Sequence, residues 1–400
     1  MRFSRIVFIA LSVVSMSTQA LTNGDLMVGI GYVSYPQDRL RPLEPSPGLG
    51  ADQTYEFTVL DATFSKPFSR GSLALDAFAQ ANTDTDEIED TTSAWLRQAY
   101  VRHYFGQAYE LTAGRINLVN GHGKATRLVD YYLFNRLVFD APMSIQEAGK
   151  YRIGNLGVNM SAEFNNQSLS LFIAPRVDWI KDSNEENSYL MKYVPYWFEN
   201  AQLEFYWFQS ANRNHIGHLN STQLGQRTLF YSEWDVVDEA QILLMSTDSQ
   251  SAAVEQKPYD LRILLGVDQA LSANVTATAE YIYRKQGYSD SQAQALFDVL
   301  VQPDHPDYYT VHYEMPYEFY YKHYLYGEIE WHSFASGAKT SVGLLAAPDQ
   351  SYRITLNAGL TIKRSFEIRL GLSYNNGPQK SEFGSLARQS KAVMFLSYRI

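Results

Sequence analysis

The chain has 400 residues, of which 45% are hydrophobic and 19% charged. This is enough for a packed core, but no apolar run is long enough for a membrane-spanning helix. Its 33 basic and 43 acidic residues give a net charge of -10, a poor balance for a protein that must neutralise nucleic-acid phosphates. These numbers exclude an α-helical membrane protein and argue against a nucleic-acid partner.

The amino terminus has the features of a secretory signal peptide. Arg2 and Arg5 flank the start of an apolar stretch over 6–14, and Thr18-Gln19-Ala20 supplies a small-x-small cleavage site. The apolar stretch is too short for an uncleaved anchor helix. We therefore expect residues 1–20 to be removed and the mature protein, residues 21–400, to work outside the cytoplasm. With no cysteine in the chain, neither disulfides nor thiolate metal sites stabilise it.

Beyond residue 20, apolar and polar residues alternate with period two over segments of eight to twelve residues, which is typical of β-strands. The last strand places one set of residues on an apolar face: Ala392, Met394, Leu396, Tyr398 and Ile400. A second clear case over 275–283 alternates Val, Ala and Tyr with Thr and Glu. Such strands fit either a soluble β-sandwich or a transmembrane barrel with apolar side chains towards lipid and polar ones towards a wet lumen.

Connection lengths favour the barrel. Short connections are predicted at 66–71, 106–108, 165–167, 210–213, 270–274, 334–338 and 363–365. Long connections are predicted at 36–53, 82–92, 116–150, 177–200, 235–257, 286–319 and 377–390. An antiparallel barrel of n strands with both termini at one end has n/2 - 1 turns at that end. Seven short turns at this end therefore imply sixteen strands. Poor alternation over 214–257 leaves fourteen to eighteen strands open. We therefore predict an all-β transmembrane antiparallel barrel with short periplasmic turns and long extracellular loops.

The 29 Tyr, 21 Phe and 6 Trp cluster at segment ends, as expected for aromatic girdles at the two lipid–water boundaries. Girdle candidates include Trp95, Tyr104, Phe105, Tyr281, Tyr324, Tyr326, Trp331, Tyr374 and Tyr398. The segment 304–326 alone carries eight tyrosines. A row of these rings would stack on sugars in a pore, but an extracellular loop that descends through a girdle explains them better.

A wide barrel needs an inward-folded loop to narrow it, and the loop 116–150 is the best candidate. The candidate constriction residues are Arg115, Lys124, Arg127, Asp130 and Arg136. These charges either create a field across the pore or pair with one another and with the wall to hold the loop down, and the sequence favours neither. The candidate lumen-wall residues are Arg353, Arg369, Arg399, Glu280 and Glu328. This mixture of signs predicts weak ion selectivity.

No catalytic constellation is found, and we expect no cofactor, no metal ion and no enzymatic activity. His215 and His218 have metal-ligand residue types, but positions three apart in a strand point to opposite faces, so they should not share an ion. The alternatives that stay open are a barrel enzyme that hydrolyses lipid or peptide at the cell surface, and a barrel that exports polysaccharide.

Two segments carry a resemblance to known families. The alternating carboxyl-terminal strand resembles the assembly signal of outer-membrane porins, although it ends in Ile400 where porins usually end in Phe. Residues 93–128 resemble the hairpin of porin-like and alginate-export-like barrels, with Gly114, Arg115, Leu118 and Gly121 at the positions of a Gly-Arg-x-x-Leu-x-x-Gly motif.

The resemblance implies a passive outer-membrane channel of a Gram-negative bacterium. Its solutes would be small and polar, either carbohydrates or organic anions. The implied partners are outer-membrane lipid and lipopolysaccharide, and a homotrimer follows by analogy alone.

Overall fold

The structure, a computed structural model, describes most of the chain between residues 24 and 399. The described residues are 24–35, 53–84, 91–132, 152–177, 186–211, 213–245, 251–300, 302, 304–308, 310–311, 320–333, 337–362, 365–378, 380–384 and 390–399. The predicted signal peptide and Arg136 lie outside them.

Eighteen strands and a helix of three turns make up the regular structure of the described residues. The strands are β1 (Gly24–Tyr35), β2 (Gln53–Phe68), β3 (Gly71–Asp84), β4 (Thr91–Phe105), β5 (Tyr109–Ile116), β6 (Asn155–Phe164), β7 (Gln167–Ala174), β8 (Ser188–Pro195), β9 (Ala201–Ser210), β10 (Arg213–Leu224), β11 (Thr228–Met245), β12 (Ala252–Ala270), β13 (Val275–Arg284), β14 (His323–Ser333), β15 (Ala338–Ala346), β16 (Tyr352–Ile362), β17 (Phe366–Asn376) and β18 (Ser390–Arg399). Helix α1 (Asp290–Leu300) lies between β13 and β14.

Every described strand pairs antiparallel with the strands before and after it, and β1 also pairs with β18. Tyr32 of β1 lies opposite Glu56 of β2 on one side and opposite Met394 of β18 on the other. The sheet thus closes on itself and leaves no edge strand, as backbone hydrogen bonding in lipid requires. The prediction of an all-β antiparallel barrel is confirmed.

The strand number is eighteen, at the upper limit of the predicted range and two more than the predicted sixteen. Strand β8 lies inside the predicted loop 177–200, and the segment 214–234 is part of two strands joined by a turn at 225–227. The short connection at 210–213 lies at the opposite end of the barrel from the other short turns, because β8 reverses the direction of the chain before it. The period-two pattern of apolar and polar residues does not reveal β10, because polar residues such as Asn214 and Gln223 occupy both of its faces.

The barrel wall has its polarity reversed relative to a water-soluble protein. Outward side chains such as Leu325, Ile329 and Met394 are apolar and 46% to 63% exposed. The inward side chains Glu233 and Asp260 are charged and fully buried. A soluble sandwich cannot leave whole apolar faces exposed, so this arrangement fits a wall with lipid outside. No helix within the described residues is long and apolar enough to cross a membrane.

Helix α1 packs against the inner wall instead of facing solvent. Ser289 precedes it, and the amide and hydroxyl of Ser289 both donate to Oε1 of Gln292, which fixes the start of the helix. The buried face of the helix includes Leu296 and Phe297, in one apolar cluster with Leu264 of β12 and other wall residues. The connection from β13 to β14 therefore covers inward-facing residues of the wall.

Candidate functional site

The connection between β5 and β6 folds against the inner wall of the barrel. Residues 117–132 are described, and they contact side chains that project inward from β11 and β13. The contacts join residues more than 100 positions apart in the chain. This is the loop that the sequence predicts to narrow the pore.

Glu233 of β11 is the first anchor of the loop. Its Oε1 accepts hydrogen bonds from the backbone amides of His122, at 2.5 Å, and Gly123, at 2.9 Å. Its Oε2 accepts from the amides of Leu128, at 2.7 Å, and Val129, at 3.4 Å. The loop thus wraps its amides around one buried carboxylate, which compensates for removing that charge from water.

Gly121 permits this close approach. Its backbone has a φ of +89°, a conformation that side-chain-bearing residues rarely adopt. A Cβ at this position would also lie 3.0 Å from Oε1 of Glu233. The last glycine of the Gly-Arg-x-x-Leu-x-x-Gly motif is therefore explained by the turn into the Glu233 anchor.

Glu280 of β13 is the second anchor. It accepts from the backbone amides of Lys124, at 2.6 Å, and Ala125, at 2.8 Å, and from the hydroxyl of Tyr231. The Lys124 side chain continues along the wall. Its Nζ donates to Oγ1 of Thr278 at 2.7 Å and lies 3.4 Å from Oε2 of Glu328. Lys124 is thus bound to the wall, and the loop covers both predicted wall carboxylates, Glu280 and Glu328.

Arg127 and Asp130 are buried at the root of the same loop. Oδ1 of Asp130 lies 2.9 Å from Nη1 of Arg152, which lies three residues before the start of β6. Burial raises the pKa of Asp130 against the opposing charges of Arg152 and Arg127, and burial lowers the pKa of Arg127. Arg115, the fourth described residue of the predicted constriction set, is buried near the end of β5.

The end of the described loop is held by aromatic packing. The Tyr131 ring stacks on Phe208 at a centroid distance of 4.8 Å, and its hydroxyl donates to Oδ1 of Asp235 at 3.3 Å. Tyr132 shares a hydrogen bond of 3.1 Å with Ser188 of β8. The loop is therefore fixed to the wall from β8 through β13.

The cationic wall residues lie on other strands. Nε of Arg353 in β16 donates to Oδ1 of Asn375 at 2.9 Å, and Nε of Arg369 in β17 lies 2.7 Å from Oε1 of Glu367. Both side chains are only half-buried. Arg399 of β18 pairs with Met27 of β1, and its side chain is outside the described part of the structure.

The tyrosine-rich segment packs instead of lining an open track. Tyr320, Tyr321 and Tyr324 are buried in the apolar cluster with α1. Tyr324 donates to Glu382 and accepts from the amide of Tyr321 at 2.7 Å. The predicted girdle positions of Tyr324 and Tyr326 are therefore wrong, because alternation in β14 turns both inward and Trp331 outward.

The histidine pair behaves as the strand geometry predicts. Nδ1 of His215 lies 3.1 Å from Oδ2 of inward-facing Asp235. His218 sits on the opposite face, where its ring stacks on Phe205. No group of three potential metal ligands occurs among the described residues.

Sequence reasoning missed Glu233, Asp235 and Arg152. Glu233 and Asp235 alternate with Trp234 and Val236 along β11, and this pattern would have placed both carboxylates on the inner face had 214–234 been divided correctly. No signal in the sequence assigned Arg152 to the root of the loop.

No family model and no curated protein match the chain. Solved structures do. OccAB1 of Acinetobacter baumannii is similar with a TM-score of 0.56 and 10% identity, over 94% of this chain and 96% of that one. OccK11 (OpdR) of Pseudomonas aeruginosa has a TM-score of 0.55 and 8% identity, over 94% of this chain and 95% of that one. OpdK of Pseudomonas aeruginosa, solved with vanillate, has a TM-score of 0.52 and 9% identity, over 95% of this chain and 99% of that one.

These neighbours are outer-membrane porins of the OprD/Occ type. They match along almost their whole length. The chain has the fold of the OprD/Occ outer-membrane porins.

Proposed function

We propose that the protein is a passive channel for small polar solutes in the outer membrane of a Gram-negative bacterium. One observation carries this proposal: the same strands present apolar side chains outward and charged side chains inward, around a loop that is fastened inside the barrel. A wall of this kind separates lipid from a polar interior. Such an interior, narrowed by a fixed loop, selects solutes by size and charge.

Organic anions are the solute class that the wall favours. Glu233 and Glu280 accept backbone amides, and Glu328 lies beside Lys124, so the loop covers these carboxylates. Arg353 and Arg369 stay half-exposed on β16 and β17. The accessible lumen is therefore more cationic than its composition suggests. The structural neighbour solved with vanillate, an organic anion, agrees with this assignment.

Carbohydrates are less well supported. A sugar track needs exposed rings along the pore, whereas the described tyrosines at 308, 320, 321 and 324 are buried.

We also propose that residues 1–20 are a cleaved signal peptide, that lipopolysaccharide surrounds the outer rim, and that the chain forms a homotrimer. Amino-terminal sequencing of the exported protein and cross-linking in native membranes test the first and last of these.

Single-channel recording tests the channel directly. Folded protein reconstituted in a planar bilayer should give discrete conductance steps, and a heat-denatured sample of the same preparation should give none. Liposomes that contain the protein should swell faster in small organic anions than in disaccharides. The folded protein should release no product from phospholipid or peptide. Folded protein without conductance steps would refute the proposal.

A further inference from the structure

The root of the inward-folded loop contains buried polar atoms with no hydrogen-bond partner among the residues that the structure describes. They are Nε and Nη1 of Arg127, Nη2 of Arg152, Nδ2 of Asn120 and Oδ2 of Asp130. Arg127 is 8% exposed and Arg152 is 1% exposed. Native proteins rarely leave such groups unsatisfied, so each of them needs an explanation.

These atoms belong to one cluster. The backbone amide of Asn120 donates to Asp130, and Nη1 of Arg152 lies 2.9 Å from Oδ1 of Asp130. Arg127 interacts through its charge with both Asp130 and Arg152. Four donor atoms and one acceptor atom thus belong to four neighbouring side chains at the root of the loop.

Apart from Oδ2 of Asp130 itself, the described carboxylate oxygens near this cluster already accept hydrogen bonds. Glu233 is the other acid close to Arg127, but its two oxygens already accept four backbone amides. Oδ1 of Asp130 is bound by Arg152. Among the described residues, one free oxygen thus faces four free donor atoms of Arg127, Arg152 and Asn120, so an added ligand with several acceptors would satisfy them.

We propose that this cluster binds a small oxyanion that carries a hydroxyl group, of the phosphate or bicarbonate type. Guanidinium groups match oxyanions in shape and charge, which accounts for the four donors. The ligand's hydroxyl donates to Oδ2 of Asp130, which accounts for the single acceptor. A metal cation is excluded by two guanidinium groups.

The bound oxyanion would fasten the two ends of the loop to each other. Asn120 and Arg127 follow β5, whereas Arg152 lies three residues before β6. The site lies beneath the loop, so the ligand is a structural component and not a permeating solute. This assignment is independent of the proposed channel function, since its test is a binding measurement.

The test is an anion titration of the folded protein in detergent at pH 7 and constant ionic strength, with phosphate as the probe. Phosphate should raise the unfolding temperature saturably. Sulfate, which carries no proton at this pH, should bind about tenfold more weakly or worse, since it faces Asp130 without a hydroxyl. Arg127→Gln should abolish the phosphate effect, and Arg213→Gln, at an exposed position, should keep it.

The wild-type titration decides the matter even where Arg127→Gln does not fold. Absence of a saturable phosphate effect on the wild type would overturn the site. So would an effect of equal size in folded Arg127→Gln. Equal binding of sulfate and phosphate would overturn the assigned hydroxyl contact with Asp130, and with it the proposed ligand class.

Discussion

At the residue scale, two buried carboxylates do most to fix the candidate site. Glu233 and Glu280 together accept six backbone amides from the loop residues 122–129. A carboxylate removed from water is costly unless donors surround it, and a loop without regular structure has amides to offer. The carboxylates and the backbone amides thus satisfy each other's hydrogen bonds. The loop is therefore held mainly through its backbone and depends little on most of its side chains.

We expect Glu233→Gln to loosen the loop. The amide group of glutamine keeps one acceptor oxygen and turns a donor towards amides that also donate. The lost bonds to a charged acceptor are worth about 1.5–3 kcal/mol each. Single-channel records should show added open-state noise and a changed conductance. Glu255→Gln, on an exposed part of β12, is the matched control and should behave like the wild type. Quiet, unchanged steps from Glu233→Gln would contradict the anchoring role.

A second cluster of buried charges, distinct from the Glu233 and Glu280 anchors, should determine stability. Nη2 of Arg97 lies 2.5 Å from a carboxylate oxygen of both Asp61 and Asp76. Arg97→Met leaves these two carboxylates facing each other and should lower the free energy of unfolding by about 3–5 kcal/mol. Arg102→Met, on the same strand, breaks the more exposed pair with Glu110 and should cost about 1 kcal/mol or less. Urea unfolding in detergent measures both, and equal losses would refute this distinction.

At the element scale, alternation predicted the strands in which one face is consistently apolar. β13, β17 and β18 are such strands, and each occurs close to its expected position. β8 was missed because Lys192, between Met191 and Tyr193, interrupts an otherwise apolar segment. The loop's position on the wall was predictable, but its anchors were not. They join residues 104 to 156 positions apart, and a period of two carries no information about such pairs.

Helix α1 should depend on its buried aromatic residue. The Phe297 side chain is fully buried and packs edge-on against Tyr320 at a centroid distance of 5.7 Å. Phe297→Ala should cost about 3–5 kcal/mol locally, which exceeds what a helix of this length can supply alone. We expect protease added outside proteoliposomes to cleave the connection between β13 and β14 in this variant. Gln294→Ala, on the exposed face of the helix, should stay resistant, and resistance of both variants would contradict the packing role.

At the scale of the whole molecule, the composition is explained by the two faces of the wall. The mean hydropathy of -0.28 averages an apolar outer surface with a charged inner one. A negative mean hydropathy therefore does not exclude a protein that crosses a membrane with β-strands. Part of the aromatic excess lies on the outer face, where Tyr104, Phe105 and Tyr398 are exposed, but the rings around α1 are internal. Sequence could not separate these groups, since the assignment of β14 depends on which residue begins the alternation.

The balance of accessible charge should make the channel prefer anions. The loop covers Glu280 and Glu328, whereas Arg353 and Arg369 stay half-exposed, so the inner field should be positive despite the acidic composition. Across a bilayer with a KCl gradient, the zero-current potential should therefore have the sign that is expected when chloride permeates faster than potassium. The double variant Arg353→Gln and Arg369→Gln should lower the anion-to-cation permeability ratio by about twofold or more at low salt, where screening is weak. Arg213→Gln, at the exposed start of β10, should leave the ratio unchanged. A wild-type channel that prefers potassium, or a double variant with an unaltered potential, would show that these arginines do not set the field in the lumen.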